Sequence, residues 1–181
     1  MERTDRSRSG KSLSGEDRGE MQVSAQLEIR CAGPEDAPAI AAVLHESFLE
    51  FKPLYTDGGF AATALGEAQV LARMQEGPVW VALRQGIVLG TVAAVAKREG
   101  VYVRGMAVLP KARGSRIGTK LLRQIEAWAA SEGYIRLFLS TTPFLDSAIR
   151  LYQEVGFRRT DERLHDLFGT PLFTMEKSVS K

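Results

Sequence analysis

Cysteine occurs once in the 181 residues, as Cys31, which excludes an internal disulfide framework and a thiolate zinc site. No metal is expected. Charge of one sign is not in excess either: 24 Lys and Arg stand against 22 Asp and Glu, too even a balance for a dedicated nucleic-acid binder. No apolar run is long enough for a bilayer. The longest, "GIVLGTVAAVA" (86–96), is strand-sized and interrupted by glycine, so no membrane association is expected. The N-terminus lacks the apolar segment of a secretory signal, and a cytoplasmic protein is the expectation, with a homodimer left open.

What is present fits one globular domain with a 44% hydrophobic and 25% charged composition. Residues 1–24, "MERTDRSRSGKSLSGEDRGEMQVS", hold too few apolar side chains to offset their ordering entropy and read as a disordered tail. Their "GKS" is no phosphate loop, since Asp5 stands where the partner glycine is needed and no strand precedes it. A single domain is expected over 25–181.

"QLEIRCA" (26–32) alternates as a strand, and a helix follows with Pro34 early and Ile40, Val43, Leu44, Phe48 and Phe51 at helical spacing. A second helix is expected from about 61 to 75. Residues 77–110 read as three strands joined at "RQG" and "KREG", an antiparallel meander. A long helix fits 116–131, with Ile117, Leu121, Ile125, Trp128 and Ala129 on one face. "YIRLFLS" (134–140) is a strand with Ile135, Leu137 and Leu139 on one face, and "TPFLDSAIRLYQEVG" is helical with its cap at Thr142 and Pro143. Short strands near 157–161 and 170–177 close the chain. The crossover from 101–109 to 134–140 requires parallel pairing. The expected fold is α/β (α+β): a mixed, mostly antiparallel sheet of about seven strands with helices on both faces.

Inside that crossover lies "VLPKARGSRIGTKLL" (108–122), where a strand ends and a helix begins. A helix N-terminus offers unpaired amides and partial positive charge, and glycines let an anion approach them. Gly114 and Gly118 supply the access, and Lys111, Arg113, Arg116 and Lys120 the field. A phosphate seat and a plain helix cap both fit these residues. Gly105, inside the preceding strand, marks a bulge or a weakened ladder. Tyr152 sits on an apolar face with Ala148, Leu151 and Val155, where a core role suffices.

"GMAVLPKARGSRIGTKLL" with "LFLSTTPFLDSAIRLYQEVGF" closely resembles the GNAT superfamily of acyl-CoA-dependent N-acyltransferases, over residues 27–177. The family's pyrophosphate loop, [Arg/Gln]-x-x-Gly-x-[Gly/Ala], matches Arg113, Gly114, Ser115, Arg116, Ile117 and Gly118, except that Arg116 replaces glycine. The resemblance implies acetyl-CoA as co-substrate, its pyrophosphate on the 113–119 loop including Thr119, and its pantetheine arm beside Met106, Ala107 and Val108. It implies acetyl transfer to the amine of a small molecule or peptide. The Val108 N–H would hold the developing oxyanion, and Tyr152 would serve the leaving thiolate. Where many relatives carry a coenzyme-binding asparagine this chain has Leu145, which leaves that contact to Ser147 or backbone.

The carboxylate that relatives often carry before the loop is absent from "VYVRGMAV", and Glu99, His45 and His165 are weak substitutes. No base is assigned. Phe48, Phe51, Tyr55, Phe60 and His165 are candidates for an acceptor pocket, with core packing as the other role for the aromatics. Cys31 is expected to be a buried structural thiol. A non-catalytic acyl-CoA sensor and a nucleotide-phosphate binder remain the competing functions.

Overall fold

The computed structural model describes residues 26–160 and 165–179, so the expected tail at 1–24 lies outside the described residues. Strand β1 (Glu28–Cys31) leads into helix α1 (Ala37–Leu49), then short helices α2 (Asp57–Thr63) and α3 (Glu67–Met74). The meander follows as β2 (Val79–Arg84), β3 (Ile87–Lys97) and β4 (Gly100–Val108). Helix α4 (Ile117–Ser131), strand β5 (Arg136–Thr141) and helix α5 (Asp146–Glu154) come next. Strands β6 (Arg158–Arg159), β7 (His165–Leu167) and β8 (Thr170–Ser178) complete the order.

The sheet runs β1-β2-β3-β4-β5-β8-β6, with β7 paired to β8, giving eight strands where about seven were expected. Only β4 and β5 pair in parallel, as the crossover through α4 requires. Consecutive residues of β3 from Val88 to Val95 are buried, so both faces are covered, and α1 and α4 both pack on this strand. The expected stripe of α4 is the buried one: Ile117, Leu121, Ile125 and Ala129 are at most 1% exposed, and Trp128 packs partly buried against Trp80. Among the described residues, no helix is long and apolar enough to cross a membrane.

Several sequence expectations shift. The helix expected over 61–75 is two helices. The Thr56 side chain caps α2 by accepting from the Gly59 N–H at 3.0 Å, the chain breaks at Ala64, and α3 restarts after Gly66. Helix α5 begins at Asp146, with Leu145 rather than Thr142 in the cap position. Ile135 precedes β5 and is 65% exposed, unlike Leu137 and Leu139. Cys31 is exposed, because it ends β1, an edge strand of the sheet among the described residues. Strand β7 was missed because three residues ending in a tight turn carry no readable alternation.

Candidate functional site

Gly105 is where the sheet opens. Its φ of +58° sits at a register break, with Thr91 opposite Ala107 but Ala93 opposite Arg104. Pairing of β4 with β5 is confined to Val101–Leu137 and Tyr102–Phe138, so beyond the bulge the two strands diverge. The wedge between them is a cavity of about 660 Å³. Just beyond the bulge, the Leu109 N–H donates to the Leu89 carbonyl at 2.9 Å. Leu89–Leu109 is therefore a hydrogen-bonded pair, and Gly90–Val108, next in register, is not. The N–H and C=O of Val108 consequently point away from β3 and into the gap.

The glycine-basic loop closes one end of this cavity. Among the described residues, no hydrogen bond is donated by the amides of Gly114, Ser115, Arg116, Ile117, Gly118 or Thr119; the next amide, of Lys120, reaches the Arg116 carbonyl at 3.1 Å. Gly114 at φ +80° and Arg116 at φ +60° turn these groups toward a common concavity. Arg113 is a brace rather than a free cation. Its guanidinium pairs with Glu50, donates to the Ser47 carbonyl at 3.0 Å and reaches the Val108 carbonyl at 3.4 Å. The loop is thereby tied to α1 and to the end of β4.

Most of the residues singled out from sequence meet here. Met106, Ala107, Val108, Arg113, Gly114, Arg116, Ile117, Gly118, Thr119, Ser147 and Tyr152 line the cavity, as do Phe48, Phe51 and Tyr55. Three do not. Ser115 turns its Oγ back to the Ala112 carbonyl at 2.5 Å. Phe60 stands behind the wall, edge-on to Tyr55 with centroids 6.1 Å apart. His165 is exposed on β7 outside the lining, beside the lining residues Ser140, 3.1 Å from its Nε2, and Leu172, its partner in register.

Among the described residues, buried polar side-chain atoms without a hydrogen-bond partner include those of Ser47 and Arg104, and both residues line this cavity. Tyr152 is 6% exposed, and burial pushes its phenol well above the ordinary range, with Tyr55 and Tyr102 adding to the effect. Burial raises the Tyr55 phenol too, partly offset by the hydroxyls of Thr142 and Thr63. No group of three or more His, Cys, Asp or Glu able to hold a metal exists among the described residues.

Comparison with known proteins decides the lineage. The model of the acetyltransferase (GNAT) family matches residues 40–157. The chain belongs to the GNAT family. An uncharacterized N-acetyltransferase, YjgM of Escherichia coli, is 32% identical over 136 residues, 72% of this chain and 81% of that protein. An IAA acetyltransferase of Azospirillum brasilense is 42% identical over 79 residues, covering 42% of this chain, which spans only 52% of its length. The PaiA N-acetyltransferase of Thermoplasma acidophilum, solved in complex with coenzyme A, superposes with a TM-score of 0.72 at 19% identity. That superposition covers 84% of this chain and 99% of the other.

Set against the GNAT loop motif, the departure at Arg116 now has a shape. Glycine suits that position because its backbone is left-handed, and Arg116 adopts the same conformation with its side chain exposed. The amide is therefore kept where glycine would put it. Sequence reasoning missed Arg73, Tyr102 and Arg104, which form the far end of the cavity. One signal was available for Arg73: it lies three residues after the buried Val70, so it occupies the core-facing stripe of α3.

Proposed function

We propose that the chain is an N-acetyltransferase that moves the acetyl group of acetyl-CoA directly to the amine of a small molecule or peptide in the cytoplasm. One observation carries this: partnerless loop amides, the inward-facing Val108 N–H and Tyr152 share a single continuous cavity. The cradle fits the coenzyme. A Cβ at Gly118 would lie 2.6 Å from Leu151 Cδ2 and 3.0 Å from Met106 Cε, so the helix entry is as close to the wedge as backbone can come. The amides of 114–119 would hold the pyrophosphate, and the edge of β4 at 106–108 the pantetheine arm. Ser147, at the start of α5, lines the cavity beside Leu145 and takes over where the family's asparagine is missing.

Bound acetyl-CoA supplies a thioester carbonyl open to a neutral amine, with the coenzyme thiolate as leaving group. The Val108 N–H points to where negative charge develops on that carbonyl oxygen. The Tyr152 hydroxyl, kept protonated by burial, donates toward the departing sulfur. Phe48, Phe51 and Tyr55 form the apolar wall of the acceptor side, with Phe60 buttressing Tyr55. Glu154 is the one carboxylate on the wall and is exposed on the last turn of α5, while Glu99 sits in the turn at the far end of β4. Neither is assigned as a base.

The test is thiol release from acetyl-CoA across a panel of amines and peptides, with thermal shift measured alongside. Acetyl-CoA should raise the Tm, and at least one amine should drive thiol release. A protein whose Tm ignores acetyl-CoA is not this enzyme.

A further inference from the structure

Resting on the acetyl-transfer assignment, we infer that the acceptor amine carries a carboxylate, held at the bulge end of the cavity by Arg73 with Arg104. Arg73 lies in the last turn of α3 with its guanidinium laid over the backbone of β4: a Cβ built on Gly105 would lie 2.7 Å from its Nη1. It lines the cavity and makes no hydrogen bond or ion pair to any carboxylate among the described residues. Burial pushes its pKa down to about 10, with Arg104 adding repulsion and Glu76 acting only through space. A half-buried guanidinium in that state is costly, because its charge is desolvated without a partner.

Arg104 is next to it on β4. Its Nη2 is ion-paired with Glu76 at 2.9 Å, and its buried Nε has no partner. Two cations and one carboxylate leave a single positive charge at this end. A monoanion neutralises it, and a planar carboxylate suits a guanidinium fork. The location selects the acceptor rather than the coenzyme. Gly105 lies three residues before Val108, about 10 Å along the strand and on the side away from the phosphate loop. An anion bound there leaves room for a few carbons before the amine reaches the Val108 N–H. The unpartnered hydroxyl of Ser47 on the same wall is available to the polar remainder of such a molecule.

The experiment uses the full chain and matched pairs: α-amino and ω-amino carboxylates, each beside its primary amide, with phosphate-bearing amines as a third arm. Thiol release gives kcat/KM, and thermal shift with acetyl-CoA alone is read first. At least one acid should be acetylated about 10- to 100-fold better than its amide, the usual range for a charge-assisted contact. Arg73→Gln should abolish that preference through KM while the shift produced by acetyl-CoA persists, and Arg73→Lys should restore part of it. Acids and amides used equally, neither used while acetyl-CoA binds, or phosphate-bearing amines preferred would each overturn the carboxylate. A preference untouched by Arg73→Gln would overturn the site. Absence of any acetyl-CoA shift would instead remove the underlying assignment.

Discussion

Replacing Tyr152 with phenylalanine separates a catalytic hydroxyl from a core ring. The ring is buried against Phe157, with centroids 5.9 Å apart, and phenylalanine keeps that packing. No hydrogen bond among the described residues engages the Tyr152 hydroxyl, so removing it leaves no stranded partner. Stability should change by less than about 1 kcal/mol. The rate is another matter. Positioned proton donation is worth about 10²- to 10⁴-fold, and a thiolate is a tolerable leaving group, so a fall in kcat near 10²-fold is expected, about 2.7 kcal/mol of barrier. The pH profile adds a check. Because burial raises the phenol above its ordinary pKa, its protonated form persists through neutral and mildly alkaline pH. The parent should therefore show no loss of rate from this group between about pH 6 and 9, and the variant's profile should be parallel and lower. Steady-state kinetics at saturating acetyl-CoA, with the best acceptor, measures both. A variant that matches the parent in kcat would leave Tyr152 as core alone.

Gly114→Asp should abolish the Tm increase produced by acetyl-CoA while shifting the Tm of the free protein little. Nothing lies within 4 Å of a Cβ there and aspartate tolerates the left-handed backbone, so the change is chiefly electrostatic. Arg116→Gly should stabilise the free protein by about 1 kcal/mol in urea unfolding, since it removes a side chain from a backbone φ of +60°. Asp36 accepts from Arg30 at 2.7 and 2.9 Å and from the Gly33 N–H at 2.8 Å, and these contacts lower its pKa, Arg30 most. Its contribution is complete above its ordinary 3.8 and lost as pH falls through the lowered value, so Asp36→Asn should cost about 1–2 kcal/mol at pH 7 and flatten the acid limb of stability.

The meander, the crossover and the last strand, β8, were legible because each rests on a local signal. Strand-length apolar runs extend from Val79 to Val108, turn residues sit between them at Gln85–Gly86 and Arg98–Glu99, and α4 repeats its apolar stripe four times. The breaks were not legible. The start of α2 depends on Thr56, whose hydroxyl both caps the helix and donates to the Phe168 carbonyl at 2.8 Å, more than a hundred residues away. Cys31 misled for a similar reason: burial of an edge strand depends on what flanks it, and alternation says nothing of that. The glycine-basic turn of the loop was legible from residue type, whereas its reading as a phosphate seat came from the family resemblance. The bulge end of the site was not legible, because Arg73 and Arg104 meet across sequence positions that no motif links.

Gly105 joins these features through one backbone conformation. The extra residue at the bulge ends the pairing of β4 with β5, which opens the wedge. It also resets the ladder so that the peptide groups of Val108 face the opening rather than β3. A side chain there would meet two obstacles at once: a φ of +58° and the Arg73 guanidinium, 2.7 Å from the Cβ position. In an ordinary ladder the same glycine would only weaken the strand. Here its missing side chain admits a cation beside the strand that carries the Val108 N–H, so the proposed acceptor contact and the proposed oxyanion donor both depend on one residue's backbone.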